Sequence, residues 1–299
     1  MAAMKQFKTY EEQVALLASR GMDVGDPQAA AGQLRRVNYY RLSGYWYPFR
    51  RIEGGTRVDE FAPGTTLTDI IKLYDFDTNL RTMTFASLSP VELTMRALLG
   101  HALGEIDECA HLKLDAWNVR ARGSEYTRWR TLHRRELKDS REDFVKHHKA
   151  NYGGVLPVWA AVEVLNWGSL TKLFGFSPRL AQDQVAAAFG LSAPQLESWL
   201  KSLNIVRNVC AHHGRLFNRV FALKPKLPPI GVHPHLDEAG HFARTFGQLT
   251  LIQHLLHTQG IGRPAVLPKV LRSFPPVPLL AVSHTGAPPD WDTLTLWRC

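Results

Sequence analysis

Apolar residues recur at intervals of three and four over most of the chain, and strict alternation is scarce, which predicts helices. Residues 5–20 place Phe7, Val14 and Leu17 at helical spacing and stop at Gly21, and Asp26-Pro27 opens a second short helix through about Val37. The aromatic stretch NYYRLSGYWYPFR at 38–50 is poorly periodic, and the turn signals at Gly54-Gly55 and Pro63-Gly64 suit a small hairpin. From Thr68, read as an N-cap, the helical period runs to about Ile106, with Ser89-Pro90 read as the restart of a second helix in a helical hairpin or kinked helix. Pro157 is read as the first residue of a helix continuing to Phe174, Ser192 and Gln195 as a capping box opening a helix over 193–213, and a further helix is placed at 240–258. The tail from Pro264 carries Pro275-Pro276, Pro278 and Pro288-Pro289 and is read as wrapping the surface and docking Trp291 and Trp297. The pattern predicts an all-α fold: a helical and aromatic segment at 1–66 packed on the core, a helical domain at 67–260 and an irregular tail at 261–299.

Composition adds a partner class. The 299 residues are 45% hydrophobic and 21% charged, enough to bury a core, and 36 Lys and Arg against 27 Asp and Glu favour a polyanionic partner. Residues 120–149 hold ten Lys and Arg against five Asp and Glu, which fits a docking surface or an ordinary solvated helix equally. Cys109, Cys210 and Cys299 lie too far apart for a paired motif, which argues against a disulfide framework and for a reducing, cytoplasmic setting. Charges such as Glu163 interrupt the longest apolar runs, so neither a signal peptide nor a membrane span is expected. The chain lacks the glycine-rich phosphate loops, the HExxH zinc motif and the GxSxG nucleophile motif.

The densest polar cluster is RNVCAHHGRLFNR at 207–219. On a helix, Leu196, Trp199, Leu203, Val206 and Cys210 form one apolar stripe, which places Asn204, Asn208, His212 and Arg215 opposite. Arg207 lies between the faces and can reach toward His212, and Gly214 is read as the helix exit. Beside a phosphodiester these residue types suit RNA cleavage, with a histidine moving a proton and an arginine holding the phosphate. They equally suit capping of a helix C-terminus. A zinc site of Cys210, His212 and His213 is poorly supported because adjacent histidines diverge on a helix, and His147-His148 and His233-Pro-His235 are read as solvent-facing.

Three blocks resemble the Abi-like (abortive infection, AbiD/AbiF-type) bacterial proteins: NYYRLSGYWYPF at 38–49, LYDFDTNLR at 73–81 with VELTMRA at 91–97, and PVWAAVEVLNWGSLTKLF at 157–174 running on to SWLKSLNIVRNVCAHHGRLFNR at 198–219. The resemblance implies the HEPN superfamily: an all-helical bundle, usually a homodimer, whose R-x4–6-H motif cleaves RNA without a metal or cofactor. Arg207 and His212 match that motif and would be catalytic, with Asn208 orienting the site, and His213, Arg215, Asn218 and Arg219 would position substrate. Attack by the 2′-OH would leave a 2′,3′-cyclic phosphate. The implied role is an abortive-infection effector restrained by a small RNA or protein antitoxin, for which Arg128, Arg130, Arg134 and Arg135 form a natural docking surface. Tyr39, Tyr40 and Trp46 could stack bases beside Arg35, Arg36 and Arg41 or lie in the core, and Glu92 with Arg96 is read as a structural pair. The rivals are a non-catalytic RNA-binding or partner-binding module and, with no recognition-helix signature, a DNA-binding regulator.

Overall fold

A computed structural model describes residues 4–298. Helix α1 (Tyr10–Ser19) starts at a capping box in which Thr9 and Glu12 satisfy each other's backbone N–H, and α2 (Pro27–Arg36) starts at Asp26. The aromatic block, too short for a clear period, forms helix α3 (Tyr39–Trp46), capped by Asn38. The expected hairpin follows as β1 (Arg50–Glu53) and β2 (Thr56–Phe61); Gly54 and Gly55, both at positive φ, make the two-residue turn.

The spine is α4 (Leu67–Gly104), capped by Thr66 rather than Thr68. Of the two expected alternatives, a hairpin or a single kinked helix, it is a single helix, 38 residues long, with Pro90 inside it. Leu73, Phe76, Leu80, Thr84, Leu88, Val91, Met95 and Leu99 are buried in unbroken helical phase through Pro90. Proline is tolerated there because the carbonyl it leaves unbonded belongs to Ala86, on the exposed side.

Next come α5 (Ser124–Asp139), α6 (Asp143–Asn151), α7 (Val158–Ala161) and α8 (Trp167–Phe176). The single helix expected from Pro157 is therefore broken. Asn166 caps α8 through the Ser169 N–H, and Arg96, paired with Glu92 at 2.6 Å, donates to the Glu163 and Leu165 carbonyls at the break. Helices α9 (Arg179–Ala188), α10 (Ala193–Ala211), α11 (Pro234–Asp237), α12 (Thr245–Gln259) and α13 (Val266–Arg272) complete the set. The capping box at α10 is present, with the Gln195 side chain accepting from the Ser192 N–H.

Helices α3, α7, α8, α9, α10, α12 and α13 all pack on α4. One apolar core runs from Val14 to Trp297, so the N-terminal segment and the tail share it. The tail docks as expected: Trp297 stacks on Phe246 of α12 at 4.5 Å, and Trp291 is buried beside it. Among the described residues no helix is long and apolar enough to cross a membrane.

Candidate functional site

Helix α10 buries Leu196, Trp199, Leu203, Val206 and Cys210, so its opposite face presents Asn208 and, at the helix end, His212 to solvent. Burial pushes the Cys210 thiol up to about 12, which keeps it protonated near pH 7. Arg207 is half-buried, its guanidinium 5.4 Å from the centre of the Phe85 ring on α4. Among the described residues it forms no ion pair, and its Nε has no hydrogen-bond partner.

The helix ends in a tight reversal. The N–H groups of His213 and Gly214 return to the carbonyls of Cys210 and Val209, at 3.2 and 2.7 Å. It is His213, not Gly214, that takes the left-handed conformation, with φ of 55°. Gly214 is needed for closeness instead, because a Cβ there would lie 3.3 Å from both the carbonyl oxygen and Cγ1 of Val209.

The three sequence blocks meet at one buried carboxylate. Asp77 of α4 accepts from the Tyr45 hydroxyl of α3 at 2.5 Å, from the Arg81 guanidinium at 2.5 Å, and from the N–H groups of Leu216 and Phe217 at 3.2 and 2.6 Å. Burial pushes the Asp77 carboxyl up, and Arg81, the Tyr45 hydroxyl and the two N–H groups pull against it. The chain leaving α10 is thereby tied to the spine. Arg41 donates to the His213 carbonyl and Arg215 to the Gly44 carbonyl, which seats α3 against the same turn. Sequence reasoning missed Asp77 because nothing in LYDFDTNLR separates a buried carboxylate from a surface one.

Between α3 and the end of α10 lies an open groove of about 450 Å³, walled by Tyr40, Arg41, His212 and Arg215. A second groove of about 460 Å³, lined by Lys8, Arg35, Arg36 and Tyr39, adjoins it through the shared Asn38. Tyr40 is 63% exposed, whereas Trp46 is fully buried in the core and offers no face to a base. The partners of the remaining residues lie within the protein. Asn218, itself at φ of 53°, accepts from Arg244, and Arg219 donates to the Arg215 carbonyl at 3.0 Å. Arg128, Arg134 and Arg135 are exposed on α5, with Arg130 half-buried over the Tyr126 ring. None of the four lines either groove.

Of the histidines read as solvent-facing, His147 is exposed, whereas His233 and His235 turn out otherwise. His233 and His235 are half-buried and face His254 of α12, which is 1% exposed. His254 carried no sequence signal, because only the fold brings it to the other two.

Residues 32–218 match the family model described as Abi-like protein. No curated protein and no solved structure matches the chain significantly.

Proposed function

The chain belongs to the Abi-like protein family, and on that premise we propose that it is an abortive-infection effector that cleaves RNA at Arg207 and His212. The observation that carries this reading is the turn closing α10. His212 is exposed at the helix end, Arg207 five residues before it forms no ion pair among the described residues, and a buried carboxylate fixes the backbone that follows them.

In this reading the scissile phosphate lies against Arg207, which offsets the charge that develops on its oxygens. The 2′-oxygen attacks phosphorus while its proton passes to a histidine, the bond from phosphorus to the 5′-oxygen breaks, and the leaving oxygen takes a proton. The products are a 2′,3′-cyclic phosphate and a 5′-hydroxyl, so the substrate must carry the 2′-OH of RNA. One histidine can serve as base and then acid. A two-fold HEPN-type dimer would supply a His212 from each chain, and the exposed apolar Phe85 and Ile205 beside the motif suit such an interface. The grooves holding Lys8, Arg35, Arg36 and the exposed Tyr40 ring suit a single strand, with cations on the backbone and an aromatic face for a base.

The test is incubation of purified protein with total cellular RNA and a short single-stranded RNA in EDTA, beside His212→Ala and Arg207→Ala. Cleavage with cyclic-phosphate ends that both substitutions abolish is expected. Intact RNA, bound equally by wild type and His212→Ala, would replace the nuclease with a non-catalytic RNA-binding module. The basic face of α5 is proposed to dock a restraining RNA. Neutralising Arg128, Arg130, Arg134 and Arg135 should then flatten the salt dependence of RNA binding.

A further inference from the structure

His233, His235 and His254 form a triangle on the side of the molecule built by the turn after α9, the segment leading into α11, and α12. Their ring centres are 4.9, 5.1 and 5.5 Å apart, and one ring nitrogen from each lies within 4.8 Å of the others. Three imidazoles bound tetrahedrally to one ion, with nitrogens at about 2.0–2.1 Å, bring their ring centres to roughly 5 Å of one another.

The tautomers of His233 and His254 fit as well as the spacing. His254 Nε2 lies 3.0 Å from the Phe189 carbonyl, and His233 Nε2 lies 2.8 Å from the Gly190 carbonyl. A carbonyl only accepts, so each of these nitrogens carries the proton and each Nδ1 keeps its lone pair. Backbone carbonyls holding the far N–H are the usual outer partners of metal-ligating histidines. His235 Nε2 lies 2.8 Å from His254 Nδ1 and donates to it in the metal-free protein, so binding an ion displaces that hydrogen bond and moves the His235 proton to Nδ1. Gly190 takes φ of 67°, and a Cβ there would stand 3.2 Å from the His233 ring, so that turn is shaped to receive the imidazole.

We propose that His233, His235 and His254 bind one divalent transition-metal ion of the zinc class, which fastens the irregular segment at 222–244 to α12 and the turn after α9. Nitrogen-only ligation favours zinc over magnesium or calcium, and three protein ligands leave the fourth position to water. The histidines lie outside the family match at 32–218, and the site is independent of RNA cleavage.

The experiment uses the untagged full chain. Its zinc content is measured by mass spectrometry, and after chelator dialysis the protein is titrated with Zn²⁺ and Co²⁺ beside His233→Gln and His235→Gln, with folding checked by circular dichroism. The expected result is one zinc per chain, a four-coordinate cobalt spectrum, and a melting temperature that zinc raises in wild type but not in either variant. Each variant should lose more affinity than the roughly 10–100-fold that removal of an outer-shell partner costs. X-ray absorption on the zinc-loaded wild type, which needs no variant, should show imidazole nitrogens at about 2.0 Å. Absence of stoichiometric zinc binding in wild type, or an affinity in both variants equal to that of wild type, overturns the site and leaves a hydrogen-bonded histidine trio. RNA cleavage in EDTA is read separately, so neither result decides the other.

Discussion

At the scale of single residues the site depends on backbone that few side chains would choose. His213 holds φ of 55° while its carbonyl accepts from Arg41, so its conformation places both the α10 terminus and α3. His213→Gly should leave stability within about 1 kcal/mol of wild type, whereas His213→Val should lose about 1–2 kcal/mol, because the left-handed region excludes a β-branched side chain. Urea denaturation checks both. If the His213 imidazole acts only through this backbone, His213→Gly keeps cleavage that His212→Ala abolishes; equal loss would give the imidazole a direct role on the substrate. A different pair of histidines contributes to acid sensitivity. Burial, with the neighbouring charges of His133 and Arg130, pushes His111 down to about 3, and burial alone pushes His133 down to about 4. Both are neutral in the folded chain near pH 7, and once the pH drops below about 6.5 the unfolded chain binds protons that the native state refuses. Stability is therefore full above pH 6.5 and falls on acidification by up to about 1.4 kcal/mol per pH unit for each histidine, until about pH 4 for His133 and about pH 3 for His111. Melting temperatures of wild type and His133→Phe between pH 7 and pH 4 check this, and the variant should show the shallower slope.

At the scale of elements the carboxylate of Asp77 does what no helix could do alone, since it joins α3, α4 and the chain leaving α10. Asp77→Ala strands Arg81 in the core and should cost about 3–5 kcal/mol. Tyr45→Phe removes two hydrogen bonds, the one donated to Asp77 and the one accepted from Arg81, should cost about 1–3 kcal/mol, and is the cleaner probe because it leaves the Asp77–Arg81 pair in place. Cleavage reduced in Tyr45→Phe at full folded fraction would show that the tie positions the site, and unchanged cleavage would confine it to stability. What the sequence revealed of these elements divides along physical lines. The stripe of α10 was legible because five buried residues keep one helical phase, and so was the capping box at Ser192, a purely local signal. The break before Trp167 was not, because the carbonyls it frees are satisfied by Arg96, which lies 67 residues away from Glu163 in sequence. Pro90 misled for the opposite reason: its local cost falls on a water-facing carbonyl while the buried stripe passes through it in phase. The Arg207 and His212 spacing was visible in sequence, but the Asp77 tie and the His254 partnership are contacts between distant segments that no local pattern encodes.

At the scale of the molecule the tail is part of the core rather than an appendage. Gln253 of α12 donates to the Leu296 carbonyl at 2.9 Å, Trp297 stacks on Phe246, and Phe274 stands 5.5 Å from the ring of Phe217, the residue whose N–H is bound by Asp77. Two tail substitutions should therefore act differently. Trp297→Ala empties a fully enclosed site and should cost about 3–5 kcal/mol, lowering a single cooperative transition because one apolar core includes residues from Val14 to Trp297. Its cleavage should follow the folded fraction alone. Phe274 is only half-buried, so Phe274→Ala should cost less, yet it loosens the ring cluster of Phe76, Phe217 and Phe274 directly beneath the turn that carries His213 and Arg215. Calorimetry and cleavage assays on the two variants separate these effects. A larger loss of activity per unit of stability in Phe274→Ala would mean the tail braces the site, whereas equal ratios would mean it contributes only to the common core.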